Sequence, residues 1–386
     1  VAAGDLIGAS PFVSANFLDE PSIAALGMAG LDVASVGNHE FDRGTGELRR
    51  VQDGGCQQFT LRTPCALEPF AGAAFTYLAG NVVDAGGSGI FPGTFSRQMG
   101  PAKIGFIGLT TKDTATLVSP SGTVGYSFLD EADTANRLAA ELRAQGADAV
   151  VLLVHEGGRT DPTQNLTGCP NLSGAIVPII ARLDPSISLV VSGHTHMSYV
   201  CRVEAAGAPP RLLTSAGRFG SFVTDIRITW DPATRSVTDL SAVNVPVNGA
   251  AGAQADVAAL VQRYVDAAAP IAARVVGTVT PYPARGEEDC ADSPDANLVA
   301  DAQFAAARAA LGDGVDLAFI NTSGVRPGLA GAASDGVMTY GEIFSVQPFG
   351  NTLVVLEMTG EQLRQTLEDQ FCGDGPATMC FTMLAP

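Results

Sequence analysis

Short apolar runs alternate with amphipathic stretches along the first 240 residues of the chain. Four nearly continuous apolar runs predict buried strands: Val33–Val36, Lys103–Leu109, Ala149–Val154 and Leu189–Val191. The stretches between them predict three helices: Pro21–Ala29, Glu131–Gln145 and Ala175–Leu183. Strands and helices in alternation indicate layered α/β packing.

The pattern changes in the second half of the chain. From Leu212 to Val245 it is rich in strand-forming residues, with Phe222–Trp230 as one clear strand. The stretch Val247–Ala255 is low in complexity and rich in Ala and Gly, so it marks a boundary between domains.

Two domains are the natural expectation for 386 residues. We predict a first domain over residues 1–246, a linker and connecting helix over 247–270, and a second α/β domain over 271–386. Beyond the boundary the pattern predicts helices at Asp256–Ala268, Ala296–Leu311 and Gly360–Phe371, and strands at Asp316–Asn321 and Thr352–Met358.

The charge of the chain narrows the range of partners. Its 40 acidic and 22 basic residues give a formal charge of −18. A nucleic-acid binder normally shows a basic face and none is visible, so we expect no nucleic-acid polymer as a partner. A phosphorylated ligand would need local cations, such as bound metal ions, to overcome the repulsion. Apolar runs long enough to cross a bilayer are missing and no leader pattern opens the chain, so we expect a soluble mature piece without a transmembrane segment.

The chain has seven cysteines, and none of them forms a Cys-x-x-Cys pair. Their spacing favours three local disulfides, each closing a loop rich in Gly and Pro: Cys56–Cys65, Cys169–Cys201 and Cys372–Cys380. Cys290 is left over. Disulfides suit an oxidising compartment, so we expect a secreted, periplasmic or cell-surface protein.

The chain has only four histidines, and all of them lie beside glycines or at strand ends: His39, His155, His194 and His196. A lone histidine is more often structural than catalytic. All four lying in such contexts is hard to explain by packing alone, and indicates a metal or catalytic site.

Two early segments carry candidate ligands. Asp5 lies in Ala3-Gly-Asp-Leu-Ile-Gly, where its carboxylate could bridge two cations or simply close a turn. The segment Val36-Gly-Asn-His-Glu-Phe-Asp follows a predicted strand, and Asn38 offers a neutral oxygen ligand. His39 and Asp42 are typical of an imidazole oriented by a carboxylate, which could protonate a leaving oxygen. We assign Glu40 no ligand role.

Two later segments complete the pattern. In Val151-Leu-Leu-Val-His-Glu-Gly-Gly a strand leads into His155, which taken singly could be structural or catalytic. In Val190-Val-Ser-Gly-His-Thr-His, His194 and His196 are two residues apart after a strand, so a tight turn could direct both toward one metal cluster. This is the strongest single motif.

Asp5, Asn38-His39-Glu40, His155 and Gly193-His-Thr-His occur in the order found in the calcineurin-like metallophosphoesterases. The variant Gly-Asn-His-Glu-Phe-Asp, with a second domain, resembles the 5′-nucleotidase family among them. The resemblance implies an N-terminal four-layered α/β/β/α metallophosphatase domain and a C-terminal α/β 5′-nucleotidase substrate-binding domain.

The resemblance also implies roles for the site residues. Two divalent metal ions would be bound, with Asp5 as the bridging ligand. Asn38, His155 and His194 would complete one metal site, and His196 would serve the other. His39 and Asp42 would form the catalytic dyad, and the nucleophile would attack phosphorus in line without a covalent intermediate. Mixed nitrogen and oxygen ligands suit Zn, Mn, Fe or Co, and their identity stays open.

In the second domain, Phe319-Ile-Asn-Thr-Ser-Gly-Val-Arg resembles the family's substrate-binding segment, with Asn321 and Arg326 at the polar positions. Gln347-Pro-Phe-Gly-Asn resembles the segment that offers an aromatic face to a nucleobase, here Phe349. The segment Asn297–Asp301 matches another family segment, but equally suits an ordinary helix start.

Three features depart from the family pattern. An Asp-x-His motif before Asp5, an arginine before the Asn297–Asp301 segment and a second aromatic segment near Pro386 are missing from the sequence. We interpret the two terminal differences as ends that are cut off, with a degenerate relative as the alternative.

The sequence therefore supports several functional hypotheses. The first is hydrolysis of nucleoside 5′-monophosphates. The same site could serve a 2′,3′-cyclic-nucleotide phosphodiesterase or a nucleotide-sugar or dinucleotide pyrophosphohydrolase. A non-catalytic nucleotide-binding member is the next alternative, and a transition-metal protein with no phosphatase role ranks last. The oligomeric state stays open.

Overall fold

The computed structural model describes residues 1–205, 208–280, 294–321, 324–326, 336–369 and 384–385. The chain divides into two compact units, one formed by Val1–Gly8 with Phe17–Gln262 and the other by Ala9–Asn16 with Arg263–Pro386. The short segment Ala9–Asn16 therefore belongs to the second unit, which its position in the sequence does not indicate. This division falls between Gln262 and Arg263, inside the linker and connecting helix predicted over residues 247–270. The predicted domain limits remain predictions.

Strands and helices are numbered along the chain. The strands are β1 Ala2–Ala3, β2 Val33–Ser35, β3 Thr76–Leu78, β4 Val82–Asp84, β5 Thr94–Met99, β6 Ala102–Thr110, β7 Tyr126–Phe128, β8 Ala149–His155, β9 Ile187–Ser192, β10 Ser198–Ala205, β11 Ala208–Ala216, β12 Phe222–Asp231, β13 Ser236–Pro246, β14 Val275–Thr278, β15 Ile320–Asn321, β16 Val337–Thr339 and β17 Leu384–Ala385. The helices are α1 Phe12–Ala15, α2 Glu20–Met28, α3 Gly44–Asp53, α4 Thr114–Leu117, α5 Glu131–Ala144, α6 Ile176–Arg182, α7 Ala255–Ala272, α8 Pro294–Leu311, α9 Tyr340–Val346 and α10 Gly360–Glu368.

Two sheets organise the first unit. A three-stranded parallel sheet has the order β1-β2-β3, and a six-stranded sheet has the order β10-β11-β9-β8-β6-β5. The four central strands of the larger sheet are parallel, and β5 and β10 are antiparallel at its two edges. Parallel strands end on the same edge of a sheet, where α/β proteins place their sites.

Successive side chains of β8 pack on opposite faces of the larger sheet, and this shows how the layers are arranged. Leu152 packs with Leu138 of α5 and Ile179 of α6, whereas the next residue, Leu153, packs with Leu78 of the smaller sheet. A third cluster packs α2 and α3 on the other face of the smaller sheet, through Ile23, Leu48, Val51 and Tyr77. The first unit is therefore layered α/β/β/α, which confirms the predicted fold class.

The second unit holds α8 and two small antiparallel strand pairs, β14–β16 and β15–β17. A capping box between Thr339 and Glu342 begins α9, and one between Thr359 and Gln362 begins α10. Within this unit Phe12 of α1 contacts Phe344 edge to face, with ring centroids 5.2 Å apart. This aromatic contact accounts for the grouping of Ala9–Asn16 with the C-terminal residues.

One predicted element is wrong. Residues Thr352–Met358 lie outside any strand, and the apolar side chains of Leu353–Leu356 are 46–72% exposed. An apolar run forms a buried strand only where a neighbouring strand supplies hydrogen-bonding partners, and none of the described strands pairs with this one. The strand predicted at Asp316–Asn321 is shorter than expected, at Ile320–Asn321.

Two of the three predicted disulfides are confirmed, Cys56–Cys65 and Cys169–Cys201. Cys290 and the predicted pair Cys372–Cys380 lie outside the described residues. Among the helices that the structure describes, none has the length and apolar character that a bilayer-crossing segment needs.

Candidate metal and catalytic site

Four loop segments meet at the carboxyl ends of parallel strands in the first unit. Asp5 follows β1, Asn38 comes shortly after β2, His155 is the last residue of β8, and His194 follows β9. Asp5 and His194 have left-handed backbone conformations, with φ of 52° and 68°. Such conformations are uncommon in residues other than glycine and cluster at functional sites.

The ligand atoms of these four residues form one group. The side chains of Asp5, His155 and His194 offer atoms that all lie within 4.8 Å of one another. His155 Nε2 lies 2.9 Å from Asp5 Oδ2 and 3.1 Å from Asn38 Oδ1. The ring centroids of His155 and His194 are 5.1 Å apart, and the two rings meet edge to face. Residues separated by up to 189 positions in the chain thus converge on one point, with the oxygen and nitrogen atoms that were predicted as ligands.

The orientation of His155 is set by a backbone carbonyl. Its Nδ1 lies 2.7 Å from the carbonyl oxygen of Ala3, which can only accept a hydrogen bond. Nδ1 therefore carries the proton, and in the neutral ring Nε2 keeps the lone pair that a metal ion needs. Protein ligands to metals are commonly oriented in this way by a second partner.

The surrounding charges set the protonation states of these ligands before a metal ion binds. Burial by itself lowers the pKa of His155, but the charge and hydrogen bond of Asp5 raise this pKa, so a metal ion would displace the proton on Nε2. Burial by itself raises the pKa of Asp5, but the charges and hydrogen bonds of His155 and His39 together outweigh burial and hold this pKa below its ordinary value. Burial, together with the nearby charge of His155, lowers the pKa of His194. Asp5 is therefore anionic and His194 neutral at neutral pH, as metal binding requires.

These residues fit a divalent transition metal. Two oxygen donors, from Asp5 and Asn38, stand beside the imidazole nitrogens of His155 and His194, and mixed donors of this kind suit Zn, Mn, Fe or Co. His196 lies outside this group of described residues. Its ring contacts Phe219, with centroids 6.1 Å apart, and its predicted role at a second metal stays a prediction.

The predicted dyad forms beside the ligand group. His39 Nδ1 lies 2.7 Å from Asp42 Oδ2, so the carboxylate orients the imidazole. Burial by itself lowers the pKa of His39, but the hydrogen bond to Asp42 and the charge of Asp5 raise this pKa to about 9. The backbone N–H of His39 also donates to Asp5 Oδ1 at 3.0 Å, which ties the dyad to the ligand group.

Glu40 connects two loops of the candidate site, which the sequence did not reveal. Glu40 is 1% exposed, and its carboxylate accepts hydrogen bonds from the backbone N–H groups of Asp5 at 2.9 Å, Leu6 at 2.8 Å and Gly37 at 2.6 Å. Tyr77 donates a further hydrogen bond at 3.3 Å. Glu40 thus joins the loop after β1 to the loop after β2, and its only sequence signal is its place inside the histidine motif.

Two glycines allow these loops to approach each other. A Cβ on Gly37 would overlap the Asp5 carboxylate and lie 2.6 Å from the Asp5 backbone nitrogen. A Cβ on Gly4, which has a φ of +80°, would lie 2.6 Å from His155 Nδ1. Larger residues at these positions would displace the ligand atoms.

The second unit brings together the predicted substrate-binding residues. The guanidinium of Arg326 lies 5.0 Å from the ring centroid of Phe349, and the Arg326 backbone N–H donates to the carbonyl of Val346 at 2.9 Å. The Asn321 side chain lies against Gly324, two residues before Arg326. The segment Asn297–Asp301 lies in α8, which begins at Pro294.

Known proteins share sequence and fold with both parts of this chain. A family model described as the 5′-nucleotidase C-terminal domain matches residues 275–381. Residues 275–381 therefore form a 5′-nucleotidase C-terminal domain. Proteins of this family and the related calcineurin-like phosphoesterases are hydrolases that act on ester bonds and generally use divalent metals.

Two longer bacterial proteins are similar to this chain along 96% of its length. It is 30% identical to the endonuclease YhcR of Bacillus subtilis and 31% identical to the cell wall protein Lmo0130 of Listeria monocytogenes. The chain spans 28% of the first protein and 49% of the second.

A solved structure shows the same fold. The 5′-nucleotidase precursor from Thermus thermophilus matches with a TM-score of 0.70 and 22% identity, over 95% of this chain and 68% of that one. The α/β/β/α fold predicted for the first domain and the 5′-nucleotidase C-terminal domain predicted after it are confirmed.

Proposed function

We propose that this chain hydrolyses phosphate esters of nucleotides with bound divalent metal ions, and that nucleoside 5′-monophosphates are its principal substrates. The proposal rests on the proximity of two groups of side chains. The metal-ligand group of Asp5, Asn38, His155 and His194 lies beside the His39–Asp42 pair, which shares a hydrogen bond with Asp5.

Asp5, Asn38, His155 and His194 would hold a metal ion, and Asp5 with His196 would contribute to a second. When bound, such ions neutralise phosphate charge and act as Lewis acids toward the phosphoryl group. This local positive charge offsets the repulsion between a phosphate ester and a chain with a net charge of −18.

His39 would act on the reacting phosphate ester itself. Because Asp42 holds Nδ1, the Nε2 side of the ring faces other partners, and a protonated Nε2 can donate to the leaving oxygen or to a phosphoryl oxygen. Glu40 would fix the backbone on both sides of this pair, since it binds the N–H groups of Asp5 and Gly37. Hydrolysis then needs precise positioning and charge stabilisation more than covalent chemistry by the protein.

The nucleoside part of the substrate would bind to the second unit. The Phe349 ring offers a face for a base, and the guanidinium of Arg326 and the amide of Asn321 offer hydrogen bonds to substrate oxygens. This assignment favours nucleotides over simple phosphate esters as substrates.

The compartment of the reaction would be outside the cytoplasm, in a secreted, periplasmic or cell-surface protein. Two disulfides close loops in the first unit, and such bonds persist in oxidising compartments. A relative described as a cell wall protein supports the same location. Fractionation of cells that produce the full-length protein tests it, since recovery of the protein from the cytoplasm alone would contradict it.

The proposed activity is tested with the full-length protein loaded with Mn²⁺ or Zn²⁺. Phosphate release is measured from AMP, UMP, 2′,3′-cyclic AMP, UDP-glucose and p-nitrophenyl phosphate, with an added phosphatase to reveal diester products. Single-stranded DNA and RNA are included because one relative is described as an endonuclease. Asp5→Asn and His39→Ala are compared with Asp239→Asn, a surface substitution with a side chain that is 62% exposed.

Each outcome has a defined meaning. Metal-dependent turnover of AMP that Asp5→Asn and His39→Ala abolish, and Asp239→Asn retains, supports the proposal. Faster turnover of the cyclic nucleotide, of UDP-glucose or of a polymer would overturn the substrate assignment while keeping the phosphoesterase. Binding of AMP and metal without turnover of any substrate would instead identify a non-catalytic nucleotide-binding protein.

A further inference from the structure

The turn between β11 and β12 carries an exposed aromatic residue. Phe219 is 73% exposed and has a left-handed backbone with a φ of 56°. Gly217 and Gly220 flank it and also have positive φ, at 76° and 67°. A phenylalanine that is neither buried nor in a favourable backbone conformation gains little from packing, so its position calls for another explanation.

Two contacts place this turn beside the candidate site. The ring of Phe219 lies against the imidazole of His196, with centroids 6.1 Å apart and a tilt of 50°. The guanidinium of the neighbouring Arg218 lies 5.1 Å from the same ring centroid, within the distance of a cation–π contact. The aromatic ring therefore contacts both an exposed cation and a predicted metal ligand.

The charge of Arg218 is not used by an ion pair within the described part of the chain. None of the described carboxylates lies within 4.0 Å of its guanidinium, whereas Arg202 and Arg227 of the neighbouring strands both contact aspartates. An arginine outside the described ion pairs is notable in a chain with 40 acidic residues and 22 basic ones. A planar guanidinium is well suited to phosphate oxygens.

We propose that Arg218 is a substrate-binding residue that contacts the phosphoryl oxygens at the His196 side of the site, and that Phe219 is the positioning residue that holds its guanidinium there. This inference rests on the proposed phosphoesterase function and adds a protein cation to the predicted metal ligands. It gives the first unit a phosphate contact of its own, separate from the contacts expected of Arg326.

The test measures phosphate binding directly. Inorganic phosphate is titrated calorimetrically into the metal-loaded full-length protein and into Arg218→Ala, Arg218→Lys and Phe219→Leu. We expect the dissociation constant for phosphate to rise about tenfold in Arg218→Ala, because one charge-assisted hydrogen-bonding group is lost. Arg218→Lys should recover part of the affinity, and Phe219→Leu should lose several-fold because the ring that orients the guanidinium is missing.

Turnover of p-nitrophenyl phosphate separates this role from a structural one. In Arg218→Ala, KM should rise about as much as the dissociation constant for phosphate, while the metal content and Tm stay unchanged. Arg227→Ala serves as the matched control, since this arginine lies on β12 with a side chain that is 78% exposed, and it should leave both constants unchanged.

The failure of this inference is distinguishable from the failure of the proposed function. Parent protein that turns over phosphate esters, with Arg218→Ala binding phosphate as tightly as the parent, would overturn the role of Arg218 alone. A parent that binds metal but turns over no phosphate ester would overturn both. Equal losses in Arg218→Ala and Arg227→Ala would reveal a general charge effect and would also overturn the specific contact.

Discussion

The Glu40 carboxylate accepts a hydrogen bond from the backbone N–H of Asp5 at 2.9 Å, although the two residues are 35 positions apart in the chain. The same carboxylate binds the N–H groups of Leu6 and Gly37, so it closes the gap between the loops that carry Asp5 and Asn38. Burial and the charge of Asp5 raise the pKa of Glu40 to about 7, against the opposing effect of the Gly37 N–H. Glu40 is therefore a positioning residue for the ligand group.

Replacement of Glu40 by Gln should weaken metal binding. The amide oxygen can still accept, but the amide NH₂ would face a backbone N–H where an oxygen now stands. We expect a fall of about tenfold to a hundredfold in metal affinity, measured by titration of the metal-free protein. Glu141→Gln, on the exposed face of α5, should bind metal as the parent does. Unchanged affinity in Glu40→Gln would contradict the positioning role.

Substitution of Gly37 by Ala tests the close approach of the loops. The added Cβ overlaps the Asp5 carboxylate, so either the carboxylate or the loop must move away from the ligand group. We expect loss of metal binding and a drop of at least a hundredfold in kcat/KM, because displacement by about 1 Å has effects of this size. Gly249→Ala, where the Cβ would meet no atom within 4 Å, is the control for general effects of the substitution. Normal activity of Gly37→Ala would show that the loops tolerate separation.

Asp42→Asn tests the dyad without changing its shape. The neutral amide no longer stabilises a protonated His39 and can favour the wrong tautomer of the ring. We expect kcat to fall about a hundredfold or more on AMP, with metal content unchanged, and steady-state kinetics would show the change. A rise in KM at constant kcat would mean that Asp42 acts in binding and has no role in proton transfer.

Phe349→Ala should separate nucleotides from simple esters. Stacking of a base on an aromatic side chain contributes about 1–3 kcal/mol, so KM for AMP should rise by about tenfold or more. KM for p-nitrophenyl phosphate, which has no nucleobase, should change far less. Leu353→Ala, with a side chain exposed in the same unit, is the control. Equal changes in KM for AMP and for p-nitrophenyl phosphate would show that Phe349 does not bind the base.

Arg50→Ala should destabilise the first unit. The guanidinium of Arg50 is buried between Glu20 and Glu47, with nitrogen–oxygen distances of 2.7 Å and 2.6 Å. Loss of this guanidinium leaves two buried carboxylates without their cation. We expect a loss of about 3–5 kcal/mol in the free energy of unfolding, measured by urea denaturation. Arg137→Ala, whose ion pair with Glu141 is exposed, should change it by less than about 1 kcal/mol. Similar values for both variants would show that the buried cluster relaxes or takes up water.

Much of the first unit follows from local pattern. The strands β6, β8 and β9 and the helices α2, α5 and α6 lie where apolar periodicity predicts them, because each buries an apolar face whose spacing is visible in the chain. The same holds for Asn38, His155 and His194, since glycine-rich turns after strands are where parallel sheets place their sites. The disulfides Cys56–Cys65 and Cys169–Cys201 were also predictable from their spacing and loop composition.

The strand predicted at Thr352–Met358 failed because periodicity records which side chains are apolar and says nothing of whether a partner strand is present. The grouping of Ala9–Asn16 with the second unit depends on Phe12 meeting Phe344, a contact between residues far apart in the chain. The role of Glu40 depends on backbone N–H groups that nearly every residue has, so no residue type could signal it.

The sequence by itself therefore determined the residue types and the strand ends of the candidate site. Only the tertiary structure decided which backbone groups Glu40 binds, that Arg50 pairs with two buried glutamates, and that Phe219 lies against His196. The physical reason is that periodicity and motif spacing are local properties of the chain, whereas hydrogen bonds and close contacts between distant loops exist only after the layers have packed.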